Sequence, residues 1–168
     1  SDPTTPIIEP TQQEVISYVL AHPGLELSMG TNNNALANGG YGAPWSPGLM
    51  VDPAYTDQWV AMIIEAFGST NAVEENLKMI LLGNELDANG PPPGDPLFET
   101  YYSVWIPTAF QNLQTSLANA GLGSIPISTT IANYGTGNVV STSISSFIET
   151  NWSASWNGGE PIVLYNQY

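Results

Sequence analysis

Leu77-Lys78-Met79-Ile80-Leu81-Leu82-Gly83-Asn84-Glu85 is the stretch whose reading decides the fold. Four apolar residues in a row, Met79 to Leu82, show none of the two-residue alternation of a half-exposed strand, so the segment reads as a strand buried on both faces. Gly83-Asn84 ends it, and an acid follows at once. A strand of this kind belongs in a parallel sheet covered by helices, where chemistry gathers at the carboxyl ends of the strands.

Working outward, the same order recurs: a helix, then a short β-rich run that stops at a Gly, Asn or Thr cluster. Upstream, Asp52 reads as the cap of a helix with Pro53 at its first position, Trp59, Val60, Ile63, Ile64 and Phe67 on the buried face, and Gly68 as terminator. Earlier still, Thr11-Gln12-Gln13-Glu14 reads as a capping box before Val15, Ile16, Val19 and Leu20, with the helix ending near His22-Pro23-Gly24. Leu25 to Met29 follows as a strand breaking at Gly30-Thr31-Asn32-Asn33, and Ala37 to Val51 reads as a Gly/Pro/aromatic loop. Downstream, Asp87 to Pro96 is loop, and Ile106, Phe110, Leu113 and Leu117 mark a helix over about Phe98 to Ala120, which Pro107 either starts in its regular part or kinks. Ile125 to Ile131 is a third strand, Ser143 to Asn151 a helix and Ile162 to Tyr165 a fourth strand. Strands alternating with helices in this way predict an α/β fold of parallel βα units in a single domain over residues 1–168.

Charge narrows the partners. Of 168 residues, 15 are Asp or Glu and one, Lys78, is Lys or Arg, for a formal net charge of -14. Nucleic acid is excluded, because phosphate affinity rests on clustered cations. An anionic membrane surface is disfavoured on the same ground, and no apolar run approaches the roughly 18 to 20 residues that cross a bilayer. Charged residues are 10% of the chain, so amides and hydroxyls carry its solubility, a surface common among secreted carbohydrate-handling proteins. A start at Ser1 fits a processed secreted protein or an excised fragment. The sequon Asn151-Trp152-Ser153 offers Asn151 as a glycosylation site. An extracellular or cell-surface location is therefore expected. Cys is absent and His22 is the one histidine, so a zinc site and a serine triad both lack their ligands or base. No cofactor or metal is expected.

The four strand ends read Gly30-Thr31-Asn32-Asn33, Gly83-Asn84-Glu85, Ser128-Thr129-Thr130 and Tyr165-Asn166-Gln167-Tyr168. All are polar, and one carries a carboxylic acid. Glu85 is either a partly buried proton donor, its pKa lifted by desolvation, or a solvated strand-end acid capping the next segment. Here the residues carry a family resemblance. Leu81-Leu82-Gly83-Asn84-Glu85-Leu86 resembles the Val-Gly-Asn-Glu-Val strand end of glycoside hydrolase family 17, the β-1,3-glucanases and related β-glucan enzymes. Ile106-Pro107-Thr108-Ala109-Phe110-Gln111-Asn112-Leu113, Leu117 to Gly123 and Ile125 to Thr130 are similar in order and spacing to that family's next helix and strand. Asn33 falls on the Asn of its Gly-x-Pro-Asn motif, with Asn32 replacing the Pro, and Asn166-x-Tyr168 matches an Asn-x-Tyr element.

The resemblance implies a (β/α)8 barrel of the TIM type, present here as a partial barrel of about four parallel βα units, and retaining hydrolysis of β-glucan or another polysaccharide. By it, Glu85 is the general acid/base, Asn84 contacts the sugar 2-hydroxyl, and Asn33 and Tyr168 line the same cleft. Tyr41 and Trp45 sit in the Gly/Pro loop, where they either stack on sugar rings or cover loop backbone. The departure is in extent. Such a barrel takes about 250 residues, and these strands match only the third to the sixth, while the family's nucleophilic Glu lies at the end of the seventh. Asp87, Glu149 and Glu160 do not supply the second carboxylate that retaining chemistry needs about 5 to 5.5 Å from the first. The alternative is a non-catalytic extracellular structural or filament subunit, or a glucan-binding module, derived from that fold and self-associating through exposed barrel edges. Smaller expectations complete the reading: Trp59 and Trp105 in the core, Trp152 and Trp156 anchoring a loop, and Lys78 paired with Glu74 or Glu75.

Overall fold

The computed structural model describes residues 6–40, 43–132 and 139–166. Three strands form one parallel sheet, β1 (Leu27–Gly30), β4 (Leu77–Leu81) and β5 (Ile127–Ser128), with β4 in the centre. Past Thr129 the third strand continues as β6 (Thr130–Ala132), which pairs in parallel with β7 (Leu164–Asn166). The four runs predicted as strands are thus neighbours in chain order and all point the same way. Between β1 and β4 lies a two-stranded antiparallel hairpin, β2 (Ala37–Gly40) with β3 (Ala43–Pro47).

Helices make every return between parallel strands. Helix α1 (Pro10–Ala21) precedes β1, and α2 (Pro53–Phe67) and α3 (Thr70–Asn76) precede β4. A long helix precedes β5, built from α4 (Phe98–Thr100), a π-helical turn over Tyr101–Trp105 and α5 (Ile106–Asn119); α6 (Val139–Asn151) precedes β7. The start of α2 is set as its sequence dictates: the Asp52 carboxylate accepts the Ala54 N–H at 2.9 Å, Pro53 follows, and Gly68 ends the helix at φ 88°. The π turn answers the question Pro107 posed. Its missing N–H leaves the Ser103 carbonyl without a partner four residues on, and the chain widens just before the proline and then runs on as regular helix.

The core lies between the sheet and these helices. Ile80 and Leu82 of the central run join Trp59, Ile63, Phe67, Trp105, Phe110 and Leu113 in one buried cluster. Met79, next to Ile80 and so on the opposite face of the sheet, is also buried. This is the two-sided burial that the unbroken apolar run requires. Polar groups fasten α5 to α2 and to the 3-10 turn Leu49–Val51 before it: the Ser116 hydroxyl donates to the Asp57 carboxylate at 2.6 Å, and the Asn112 amide donates to the Met50 and Val51 carbonyls at 3.0 Å each.

Four expectations need correction, and one helix had no counterpart in the sequence reading. The stretch Ala37 to Val51 is not simple loop, because the β2–β3 hairpin occupies most of it. Helix α3 was not legible as a helix: only Val73 of its seven residues is buried, so no stripe marks it, although Ser69 caps it through the Ala72 N–H at 3.1 Å. The capping box of α1 sits two residues earlier than expected, between Glu9 and Gln12, because Pro10 takes the first helical position. Of the α1 stripe, Ile16 and Val19 are buried while Val15 and Leu20 are exposed. Finally, Lys78 pairs with Glu26 on the adjacent strand entry at 3.4 Å, not with Glu74 or Glu75.

Candidate functional site

The Gly83-Asn84-Glu85 turn leaves the carboxyl end of β4 and is held from both sides. On the β1 side, the Thr31 N–H donates to the Leu81 carbonyl at 2.9 Å, and the Thr31 hydroxyl accepts the Gly83 N–H at 2.8 Å. On the β6 side, the Thr130 hydroxyl accepts the Glu85 N–H at 2.8 Å and donates to Asn84 Oδ1 at 2.8 Å. Below the turn, the Thr129 hydroxyl donates to the Leu82 carbonyl at 2.8 Å, and the Leu82 N–H donates to the Ser128 carbonyl at 2.8 Å.

Glu85 adopts φ 53°, the left-handed region that a residue with a Cβ enters only at a cost. The following turn compensates. The Glu85 carbonyl accepts the backbone N–H groups of Ala88 and Asn89 at 2.9 and 3.0 Å, and the Asn89 side-chain amide donates to the Asn84 carbonyl at 3.0 Å. Asp87, two residues on, accepts the Ala132 N–H at 2.7 Å and so ties the turn to the end of β6. Tyr102 donates to the Leu86 carbonyl at 3.2 Å. Burial raises the Tyr101 and Tyr102 pKa values well above the ordinary tyrosine value, and the Asp87 carboxylate adds to both shifts.

Among the sequence-predicted site residues, Asn84 and Glu85 stand together at the end of the central strand, Asn84 exposed and Glu85 half-buried. Asn33 opens a 3-10 turn (Asn33–Ala35) just past the carboxyl end of β1, the strand beside β4, so its backbone is at the same end of the sheet. Trp45 lies on β3, half-buried, and packs on the core across Gly39, where an added Cβ would come within 2.9 Å of its ring. Tyr41 and Tyr168 lie outside the described residues. Asn151 is exposed at the last position of α6, its amide donating to the Phe147 carbonyl at 2.8 Å. That end of α6 faces the start of the strands, away from Glu85: Trp156, just beyond it, donates to the carbonyl of Gly123, which precedes β5. Trp59 and Trp105 are buried as expected, and Trp156, read as a loop anchor, is buried as well.

Sequence reasoning missed the two threonine hydroxyls that fasten the turn. Their signal was the polar character of the strand ends, in which Thr31 and Thr130 both occur. Among the described residues, no group of three His, Cys, Asp or Glu side chains could hold a metal ion, and no helix is long and apolar enough to cross a membrane.

No protein-family model matches the sequence, and no curated protein is recognisably related to it. The fold, by contrast, is similar to a solved structure of a plant β-glucan endohydrolase, with a TM-score of 0.52 at 16% identity over 93% of this chain. The chain spans 51% of that structure's length. The likeness is one of fold: parallel strands joined by helices in an α/β arrangement.

Proposed function

We propose that the chain forms four consecutive βα units of a (β/α)8 barrel of the retaining β-1,3-glucan hydrolase type, in a carbohydrate-active protein outside the cell. The observation that carries this reading is the placement of Glu85 at the carboxyl end of the central parallel strand, with its backbone fastened by the strand on the other side of it from β1. Glu85 then acts as general acid, protonating the departing glycosidic oxygen, and afterwards as general base toward water. Asn84 meets the sugar 2-hydroxyl beside the reacting carbon, an interaction that strengthens as the oxocarbenium character develops. Asn33, Trp45 and Tyr168 extend the polysaccharide groove. The nucleophilic carboxylate, needed about 5 to 5.5 Å from Glu85, comes from a segment outside these 168 residues.

The test uses the native molecule from its source, its intact mass measured first, with a laminarin-type polymer as substrate. Hydrolysis with retained anomeric configuration is expected, and Glu85→Gln should lower turnover by about 10²- to 10⁴-fold, the usual worth of a positioned proton donor. Full activity in that variant would overturn the reading. A second reading, a non-catalytic assembly subunit, is favoured by the exposed Ile7, Val15, Tyr18 and Leu25 on and around α1. It predicts self-association without turnover.

A further inference from the structure

From the hydrogen-bond bookkeeping at the turn, we infer that Thr130 is a positioning residue for both Asn84 and Glu85, acting through its single hydroxyl. The inference rests on the reading of Glu85 as acid/base and deepens it. A backbone N–H can only donate, so at 2.8 Å from Glu85 the Thr130 oxygen must be the acceptor. The hydroxyl proton is donated to Asn84 Oδ1, also at 2.8 Å. The oxygen faces Thr130, and the Nδ2 donor end lies on the other side of the amide.

The hydroxyl is itself held rigidly. Thr130 is 6% exposed, begins β6, and is backed by the β6–β7 ladder and by the Leu86 N–H donating to its own carbonyl at 3.3 Å. One buried side chain therefore anchors the Glu85 backbone N–H and the side-chain amide of Asn84 beside it. Neither effect requires Thr130 to touch substrate.

Thr130→Val keeps the shape and removes both hydrogen bonds, while Thr130→Ser restores both and removes only a methyl group. In the native full-length molecule, Thr130→Val should lower kcat on a laminarin-type polymer by about 10- to 100-fold, the range associated with misplacing a reacting group by about 1 Å. KM should stay within about two-fold, and Thr130→Ser should recover most of the rate. A readout independent of catalysis accompanies it: the Glu85 backbone amide should exchange with solvent markedly faster in the Val variant and not in the Ser variant. If the Val substitution prevents folding, Thr130→Ala removes the same hydroxyl without adding bulk. Equal losses in the Val and Ser variants that track a fall in thermal midpoint would overturn the inference in favour of packing alone. Unchanged kcat in Thr130→Val, with Glu85→Gln inactive, would overturn it while leaving the acid/base reading intact. Full activity in Glu85→Gln would overturn that reading, and the catalytic role of Thr130 with it.

Discussion

The hydroxyl of Thr31, at the end of β1, accepts the N–H of Gly83 at 2.8 Å across 52 residues of sequence. Both groups are buried, Thr31 at 6% exposure, so the bond cannot be exchanged for water. Thr31→Val should leave the Gly83 N–H unsatisfied and cost about 1 to 3 kcal/mol, whereas Thr31→Ser should cost far less. Urea denaturation decides it: a lower midpoint at unchanged slope in the Val variant alone is expected.

Two glycines should differ sharply in tolerance. A Cβ on Gly48 would lie 2.4 Å from backbone atoms of Ala35 and Leu36, which cannot give way. A Cβ on Gly83 would lie 2.5 Å from Leu86 Cδ2 and 2.7 Å from Leu36 Cδ1, both ends of flexible side chains, with φ +68° adding strain. Gly83→Ala should therefore cost about 1 to 3 kcal/mol, and Gly48→Ala about 3 kcal/mol or more. Thermal unfolding of the two variants checks the order, and equal midpoints would refute it.

The contrast between these glycines also shows what the sequence could tell. The central strand was legible because Met79 to Leu82 is unbroken and apolar, and α2 because Asp52, Pro53 and Gly68 punctuate it. The hairpin was not, since Ala37 to Pro47 has no alternating pattern. It forms because Gly48 lets its backbone press against Ala35 and Leu36, and because Trp45 packs across Gly39. Helix α3 was hidden for want of a buried stripe. At the site, the position of Glu85 after its strand was readable, but the threonine fastenings depend on residues 45 and 52 apart meeting in space. No local pattern encodes that.

Tyr101 and Tyr102 give the fold an alkaline limit. Burial, then the neighbouring Tyr102 and the Asp87 carboxylate, raise the Tyr101 pKa above its unfolded value near 10. Up to pH 10 both states keep the proton and stability is unaffected by it. Above pH 10 the unfolded chain releases a proton that the folded chain retains, so stability falls, by about 1.4 kcal/mol per pH unit for Tyr101. The half-buried Tyr102 adds a smaller, solvent-screened contribution of the same sign. Tyr101→Phe keeps the ring packed against Gly90 and should flatten the decline. Chemical denaturation between pH 9 and 12 measures the slope, and an unchanged slope in the variant would exclude this origin.

Trp156 ties the segment after α6 to Gly123 and Phe110 and braces it internally against Trp152. Its indole N–H donates to the Gly123 carbonyl at 2.9 Å, its own carbonyl accepts the Trp152 indole N–H at 3.0 Å, and its ring meets Phe110 and Trp152 edge-on at 6.4 and 5.4 Å. At 2% exposure it is among the largest fully enclosed side chains. Trp156→Phe keeps a ring in the pocket but removes the indole N–H, so the Gly123 carbonyl loses its donor, and a cost of about 1 to 3 kcal/mol follows. Trp156→Ala also opens a cavity and should cost about 3 to 5 kcal/mol. Because Gly123 precedes β5 and the Trp156 segment leads into β7, loosening this contact should register first where those strands begin. Hydrogen exchange should quicken at Ile125 to Ile127 and Val163 to Leu164 before it does at β4, and uniform acceleration across the sheet would show that Trp156 serves the whole core and not this junction.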